Sequence, residues 1–204
     1  MADTKFALPL TDVERRLIDA VYAEDQAQRA KGLPSSERTR NVDLNTGAFL
    51  WQMVAAARPK RILEIGSSTG LSTLFLASAA KHVGAKVVGT EVLADRAEAN
   101  NRQLAEAGLA DVATVVAKDH REAPEVTGER WDFVFIDAEK DDYPAHLKAI
   151  EPLLNPGSVV LADNVISHDC SVYQEYVRTS RKYTTTTVTQ DRGIELSVYL
   201  PDGA

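Results

Sequence analysis

The 204-residue sequence has a single cysteine, Cys170. One thiol makes no internal disulfide and cannot build a thiolate zinc site, so neither device holds this chain together. Positive charge is also short. Lysine plus arginine number 23 against 30 aspartates and glutamates, for a formal net charge of −7. That balance disfavours non-specific binding to nucleic acid or to an anionic membrane, both of which need concentrated positive charge. No apolar run reaches the roughly 18 residues of a membrane-spanning helix. The opening stretch MADTKFALPLTDVERR carries charge where a signal peptide has its apolar segment, so a soluble, cytoplasmic protein is expected. Repeats, low-complexity tracts and Pro/Gly linkers are missing as well, which favours one domain. With 44% apolar and 26% charged residues, the composition is that of a globular chain.

What is present is an alternation of strands and helices. Thr11 and Glu14 have the spacing of a capping box, and Val13, Leu17, Ile18 and Val21 form an apolar stripe behind them. This predicts a first helix that fades before Gly32-Leu33-Pro34, followed by a polar loop over 35–40. A second helix is expected over 46–57, ending before Pro59. Strands are expected at 61–65, 86–90, 113–116, 133–136 and 158–162. Helices are expected at 72–80, 94–107, 143–153 and 172–178. The tail departs from this rhythm: 183–189 and 194–200 are two β-rich segments around Asp191-Arg192-Gly193, which is hairpin chemistry. The fold class is therefore α/β, Rossmann-like: a seven-stranded, mostly parallel sheet with helices on both faces and a C-terminal antiparallel hairpin.

In such sheets ligands sit beyond the carboxyl ends of the strands. The first strand runs into Glu64-Ile65-Gly66-Ser67-Ser68-Thr69-Gly70-Leu71-Ser72. Its glycines let backbone approach a ligand closely, or simply make a tight turn into a helix. The spacing is neither G-x-G-x-x-G nor a P-loop, and Glu64 would repel a pyrophosphate. The second strand ends at Glu91, placed to grip ribose hydroxyls or to cap the next helix. The fourth and fifth strands end in Asp137 and in Asp163-Asn164. Neighbouring parallel strands lie about 4.8 Å apart, so these three side chains could meet. Two carboxylates and an amide oxygen suit Mg²⁺ or Ca²⁺. Taken singly, Asp137 could equally cap a helix and Asp163-Asn164 form a turn.

The stretches RILEIGSSTGLSTLFLA, VVGTEVLADRAEAN, WDFVFIDAEKDDYPAHL, LLNPGSVVLADNVI and DRGIELSVYL together resemble the cation-dependent class I O-methyltransferases. That group contains the catechol and the caffeoyl-CoA O-methyltransferases. The resemblance spans about 47–200, and the pairing of IDAEKDDY with LADNV is its most specific part. It implies one domain over 1–204, with a helix and lid over 1–45 and a cofactor- and metal-binding core over 46–204. It implies S-adenosylmethionine as cofactor: Glu64, Gly66, Ser67, Gly70 and Ser72 around its methionine part, Glu91 on the ribose, Val92 against the adenine, and Asp119 and His120 at the adenine edge. The usual Gly-Asp-Ala or Gly-Ala-Ser there reads Ala117-Lys118-Asp119, a departure from the family pattern. Asp137, Asp163 and Asn164 match the metal ligands for Mg²⁺, with Mn²⁺ and Ca²⁺ as alternatives, and Lys140 matches the proposed general base. Lys140 and Asp137 are then the catalytic pair.

The implied partner is a small hydroxylated acceptor, a catechol or other vicinal diol, or alternatively a non-catechol biosynthetic intermediate. A cofactor-binding protein without turnover is the remaining alternative. The absence of G-x-G-x-x-G and of a Tyr-x-x-x-Lys pair disfavours a nicotinamide oxidoreductase. A homodimer is expected, with no nucleic-acid or membrane partner. Arg38 and Arg40, where relatives often carry a methionine, could face an anionic substrate or merely line an exposed loop. His168 is read as a polar residue at the pocket, Trp51 and Trp131 as core, and Cys170 as chemically idle.

Overall fold

Thr11 opens the first helix as its spacing with Glu14 predicts. The Thr11 backbone N–H donates to Glu14 Oε2 at 2.6 Å, and the Glu14 N–H donates to Thr11 Oγ1 at 3.2 Å. The computed structural model describes residues 7–34 and 37–201, so Ser35 and Ser36 of the expected polar loop lie outside the described residues. In chain order the elements are α1 (Asp12–Ala30), α2 (Leu44–Ala57), β1 (Arg61–Ile65), α3 (Leu71–Val83), β2 (Lys86–Thr90), α4 (Ala94–Glu106), β3 (Ala113–Val116), α5 (Pro124–Thr127), β4 (Trp131–Ile136), α6 (Tyr143–Ile150), β5 (Leu154–Asp163), α7 (Ser171–Thr179), β6 (Tyr183–Val188) and β7 (Ile194–Tyr199).

The strands form one seven-stranded sheet in the order β3-β2-β1-β4-β5-β7-β6. β1 to β5 are parallel, and β7 runs antiparallel to both β5 and β6. The terminal hairpin thus adds two strands, with β7 inside and β6 at the edge. Strand order reverses between β1 and β4, and this is where a doubly wound sheet opens a crevice.

Successive residues of β4 explain why this sheet must be covered twice. Phe133 and Phe135 pack with Ile62, Leu161 and Phe75 on the face of α1 to α4. Val134 and Ile136 pack with Leu63, Tyr143, Leu147 and Tyr173 on the face of α5 to α7. A strand apolar on both faces is stable only between two layers of helix. Trp51 and Trp131 are both buried, as expected.

The differences from the sequence reading have local causes. β5 starts at Leu154 rather than Ser158, because a register shift opposite Trp131 and Phe133 accommodates Pro156 and Gly157. α6 ends at Ile150, and Glu151–Leu153 tightens into a 3₁₀ turn at Pro152. α5 and the 3₁₀ turn Lys140–Asp142 are too short for a periodic pattern to announce them.

Candidate functional site

A cleft of about 510 Å³ opens at the carboxyl ends of β1, β2, β4 and β5, beneath the segment joining α1 to α2. Its floor is the glycine turn. Gly66 has φ 91°, and its N–H and that of Ser67 both donate to the Thr90 carbonyl at 3.0 Å, which ties the end of β1 to β2. Ser68, also with positive φ, presents its N–H to Glu91 Oε2 at 2.9 Å, and the Leu93 N–H donates to Glu91 Oε1 at 2.9 Å. Both carboxylate oxygens of Glu91 are therefore aimed by backbone, and each keeps a lone pair for a ligand hydroxyl. Val92 and Leu93 line the wall beside it, 67% and 47% exposed, as an apolar ledge.

The other residues expected at the methionine end stand behind this floor. Glu64 is fully buried; its Oε2 accepts from Ser67 Oγ at 2.7 Å and from Thr73 Oγ1 at 2.5 Å, while Oε1 has no partner among the described residues. Burial raises its carboxyl above the usual range, with the hydroxyls of Ser72, Thr73 and Ser67 opposing that shift. Ser67 and Ser72 are buried, and Gly70 packs on the Asn100 side chain at the start of α3. None of these four lines the cleft. They shape the turn from beneath.

At the far end, Asp119 and His120 both line the cleft. Asp119 is engaged by Arg121 Nε and Nη2 at 2.9 and 2.6 Å, which holds its carboxyl well below the usual range. His120 is buried against His146 of α6, ring centroids 4.8 Å apart, and its Nε2 has no partner among the described residues. Burial, with the neighbouring His146 second, pushes the His120 ring down to about 4. Between about 6.5 and about 4 the unfolded chain binds a proton at this ring that the folded chain refuses, so the stabilisation is complete above about 6.5 and is lost as pH falls. Urea melts at pH 7, 6 and 5 should show His120→Gln removing up to about 1.4 kcal/mol per pH unit of that dependence. An identical slope in parent and variant would refute the assignment. His146 was not foreseen, since its spacing in α6 reads as an ordinary helix face.

The ends of β4 and β5 bring the remaining group together. Lys140 Nζ donates to Asp137 Oδ1 at 2.5 Å, to the Ala138 carbonyl at 3.0 Å and to Tyr143 Oη at 2.9 Å. The buried Tyr143 hydroxyl lies 3.0 Å from the Ile136 carbonyl and 3.1 Å from that of Asp163, so it binds the two strand ends to each other. The sequence showed Tyr143 only as part of a motif, and this bridging role depends on the pairing of β4 with β5. Asn164 Nδ2 donates to Asp163 Oδ2 at 2.9 Å, from a backbone at φ 63° that asparagine tolerates better than most residues. Asp163 is 3% exposed, and burial together with the nearby Asp137 charge raises its carboxyl above the usual range.

Among the described residues, no three His, Cys, Asp or Glu side chains gather into a metal-ligand set. The set at hand is two carboxylates and one amide. Its donor chemistry fits a hard divalent cation, and the mutual strain of Asp137 and Asp163 is what such a charge would relieve.

The roof is fastened from both sides. Buried Asp25 of α1 accepts from Thr39 Oγ1 at 3.0 Å and from the Asn41 N–H at 3.4 Å. From the floor, Ser68 Oγ donates to the Thr39 carbonyl at 2.5 Å and Thr69 Oγ1 to Asn41 Oδ1 at 3.0 Å. Arg40 Nη2 then reaches across to Glu139 Oε1 at 2.8 Å. His168 lines the cleft as expected, and Cys170 is buried.

Comparison with known proteins agrees with this architecture. Residues 63–165 match a family described as a methyltransferase domain. A catechol O-methyltransferase of Mycobacterium tuberculosis is 34% identical over 154 residues, covering 73% of this chain and 70% of that protein. Catechol O-methyltransferase B of Danio rerio is 35% identical over 154 residues, covering 72% of this chain but only 58% of its own length. An O-methyltransferase from Bacillus cereus, solved in complex with SAH, superimposes with a TM-score of 0.74 at 25% identity, covering 95% of this chain and 93% of that one. With its doubly wound sheet, its glycine turn and its acidic strand ends, this chain belongs to the class I, S-adenosylmethionine-dependent O-methyltransferases.

Proposed function

We propose that this enzyme methylates one hydroxyl of a small vicinal diol of the catechol kind, with a divalent cation, Mg²⁺ before Mn²⁺ or Ca²⁺, held by Asp137, Asp163 and Asn164. The observation that carries this reading is the convergence of Lys140, Asp137 and Asp163-Asn164 at two adjacent strand ends, beside the glycine turn. The cation, when bound, would lower the pKa of an acceptor hydroxyl and fix its direction.

The chain's own residues do the rest. Glu91 holds the ribose, Val92 and Leu93 offer an apolar face to the adenine, and His120 meets its edge. Gly66 lets the backbone approach the methionine part, with Glu64, Ser67, Gly70 and Ser72 setting the shape of that turn. Holding donor and acceptor in line is itself a large part of the acceleration, because displacement at methyl needs oxygen, carbon and sulfur collinear. As the C–O bond forms and the C–S bond breaks, the sulfonium becomes a neutral thioether. Lys140, whose Nζ reaches Asp137 Oδ1 at 2.5 Å, accepts the hydroxyl proton as general base.

The reading extends to one catalytic domain over 1–204, to a homodimer in the cytoplasm, and to a chain with no nucleic-acid partner. Among the described residues no helix is long and apolar enough to cross a membrane. The test is methylation of 4-methylcatechol, followed by mass as a gain of one methyl group. Turnover should vanish with EDTA and return with Mg²⁺; full activity in EDTA would remove the metal from the mechanism, and turnover of a non-catechol acceptor alone would favour the alternative substrate.

A further inference from the structure

The wall of the cleft contradicts the charge of the chain. Overall the protein carries −7, yet eight arginines and lysines line this cleft against five carboxylates. The proposed occupants do not explain the surplus. S-adenosylmethionine carries a sulfonium and an ammonium against one carboxylate, and the metal is a dication. Both would be repelled by a basic wall. Several cations are accounted for locally: Arg121 pairs with Asp119, Arg29 with Asp25, and Lys140 with Asp137. Arg40 is different. It stands on the roof, reaches over the opening to Glu139, and shares the cleft wall with Arg38, Arg192 and His168.

Two features mark the Arg40–Glu139 pair as an exchangeable contact. Its side chains are 50% and 69% exposed, and an ion pair that wet contributes little, so another carboxylate can replace Glu139 at small cost. Arg40 is also held at φ 53°, a backbone conformation that glycine would adopt without strain, so a side chain is carried there at some expense. Glu139 directly precedes Lys140, so whatever displaces it from Arg40 arrives beside the catalytic lysine.

We propose, resting on the methyl-transfer reading above, that the acceptor bears a carboxylate in addition to its hydroxyls, and that Arg40 exchanges Glu139 for that carboxylate when the acceptor binds. A planar guanidinium can bind a carboxylate through two parallel N–H bonds, which fixes orientation as well as affinity. Until the exchange occurs Glu139 occupies Arg40, and the Arg40 charge disfavours cationic acceptors beside it.

Three acceptors that share one ring separate the possibilities: 3,4-dihydroxybenzoate, its methyl ester, and 3,4-dihydroxybenzylamine, each assayed with the full-length enzyme, Mg²⁺ and S-adenosylmethionine. The acid should exceed the ester in kcat/KM by about tenfold or more, a factor expected for one charge-assisted contact, with the amine lowest. Arg40→Gln should collapse the acid-to-ester ratio at least about fivefold, mostly through KM. Glu139→Gln should move the ratio the other way, because Arg40 loses its internal competitor. If both variants lower the ratio, the pair is only a structural clasp and the proposal falls. It falls equally if ester or amine matches the acid in the parent. Methylation of all three alike would sink the carboxylate preference and leave the methyl-transfer reading standing. Calorimetric binding of S-adenosylhomocysteine without product from any of the three would remove the vicinal-diol reading and this proposal with it.

Discussion

Replacing Asp163 with alanine should lower methyl transfer about 10³-fold or more while S-adenosylhomocysteine binding stays within about threefold of the parent. The two readouts separate because the residue lies off the cofactor's path. The proposed cofactor contacts are drawn from the ends of β1, β2 and β3, whereas Asp163 closes β5, across β4 from them. Among the described residues its only side-chain hydrogen bond is to Asn164, so the change empties one position of the proposed cation set without disturbing the glycine turn.

The expected effect on stability runs the other way. Asp163 is a buried carboxylate with another acid close by, and burial is the larger of the two penalties. Asp163→Asn keeps the shape and removes that charge, so without metal it should melt no lower than the parent while turning over as poorly as the alanine variant. Thermal melts in EDTA beside turnover in Mg²⁺ check both halves. A strongly destabilised Asp163→Asn would mean the carboxylate serves the fold, and normal turnover by either variant would end its role in the chemistry.

The second large effect is expected at Gly66. A Cβ built there lies 2.5 Å from the Asp137 carbonyl oxygen and 2.8 Å from its carbon, both backbone atoms, and the residue has φ 91°. Neither obstruction can rotate away. Gly66→Ala must therefore push the end of β1 from the end of β4, the two strands whose tips carry the floor of the cleft and Asp137. The strain of a left-handed backbone and the overpacking together cost about 2–5 kcal/mol, or roughly 5–15 °C in melting temperature for a chain of this size. The displaced floor should weaken S-adenosylhomocysteine about 100-fold. Gly84→Ala is the control, because its φ is 78° but nothing lies within 4 Å of the new atom. It pays the backbone strain alone, about 1–2 kcal/mol, and should bind the cofactor normally. Equal losses in both variants would show that strain, and not the contact with Asp137, is responsible.

Much of this architecture can be read along the chain because its causes are local. The capping box at Thr11, the run Arg61–Ile65 closed by Gly66, and the hairpin around Gly193 each depend on residues a few positions apart. Strand ends follow from those elements, and with them the placement of Glu91, Asp137, Asp163 and Asn164. Boundaries failed where tertiary packing outweighed local preference, as at the bulged start of β5, where pairing with Trp131 extends the strand through Pro156 and Gly157.

The division within the site is of the same kind. Sequence alone determined which acids stand at strand ends, since a parallel sheet puts every such end on one edge and connectivity decides which strands reach it. Only the tertiary structure decided which way those residues face and what they meet. Glu64 follows the same strand pattern as the others, yet alternation along β1 buries it under the turn against Ser67 and Thr73. The Arg40–Glu139 pair and the contact of His120 with His146 join segments far apart in the chain. No spacing rule reaches across such separations, because the packing of the roof and of α6 onto the sheet sets those distances, and that packing is a property of the whole folded core.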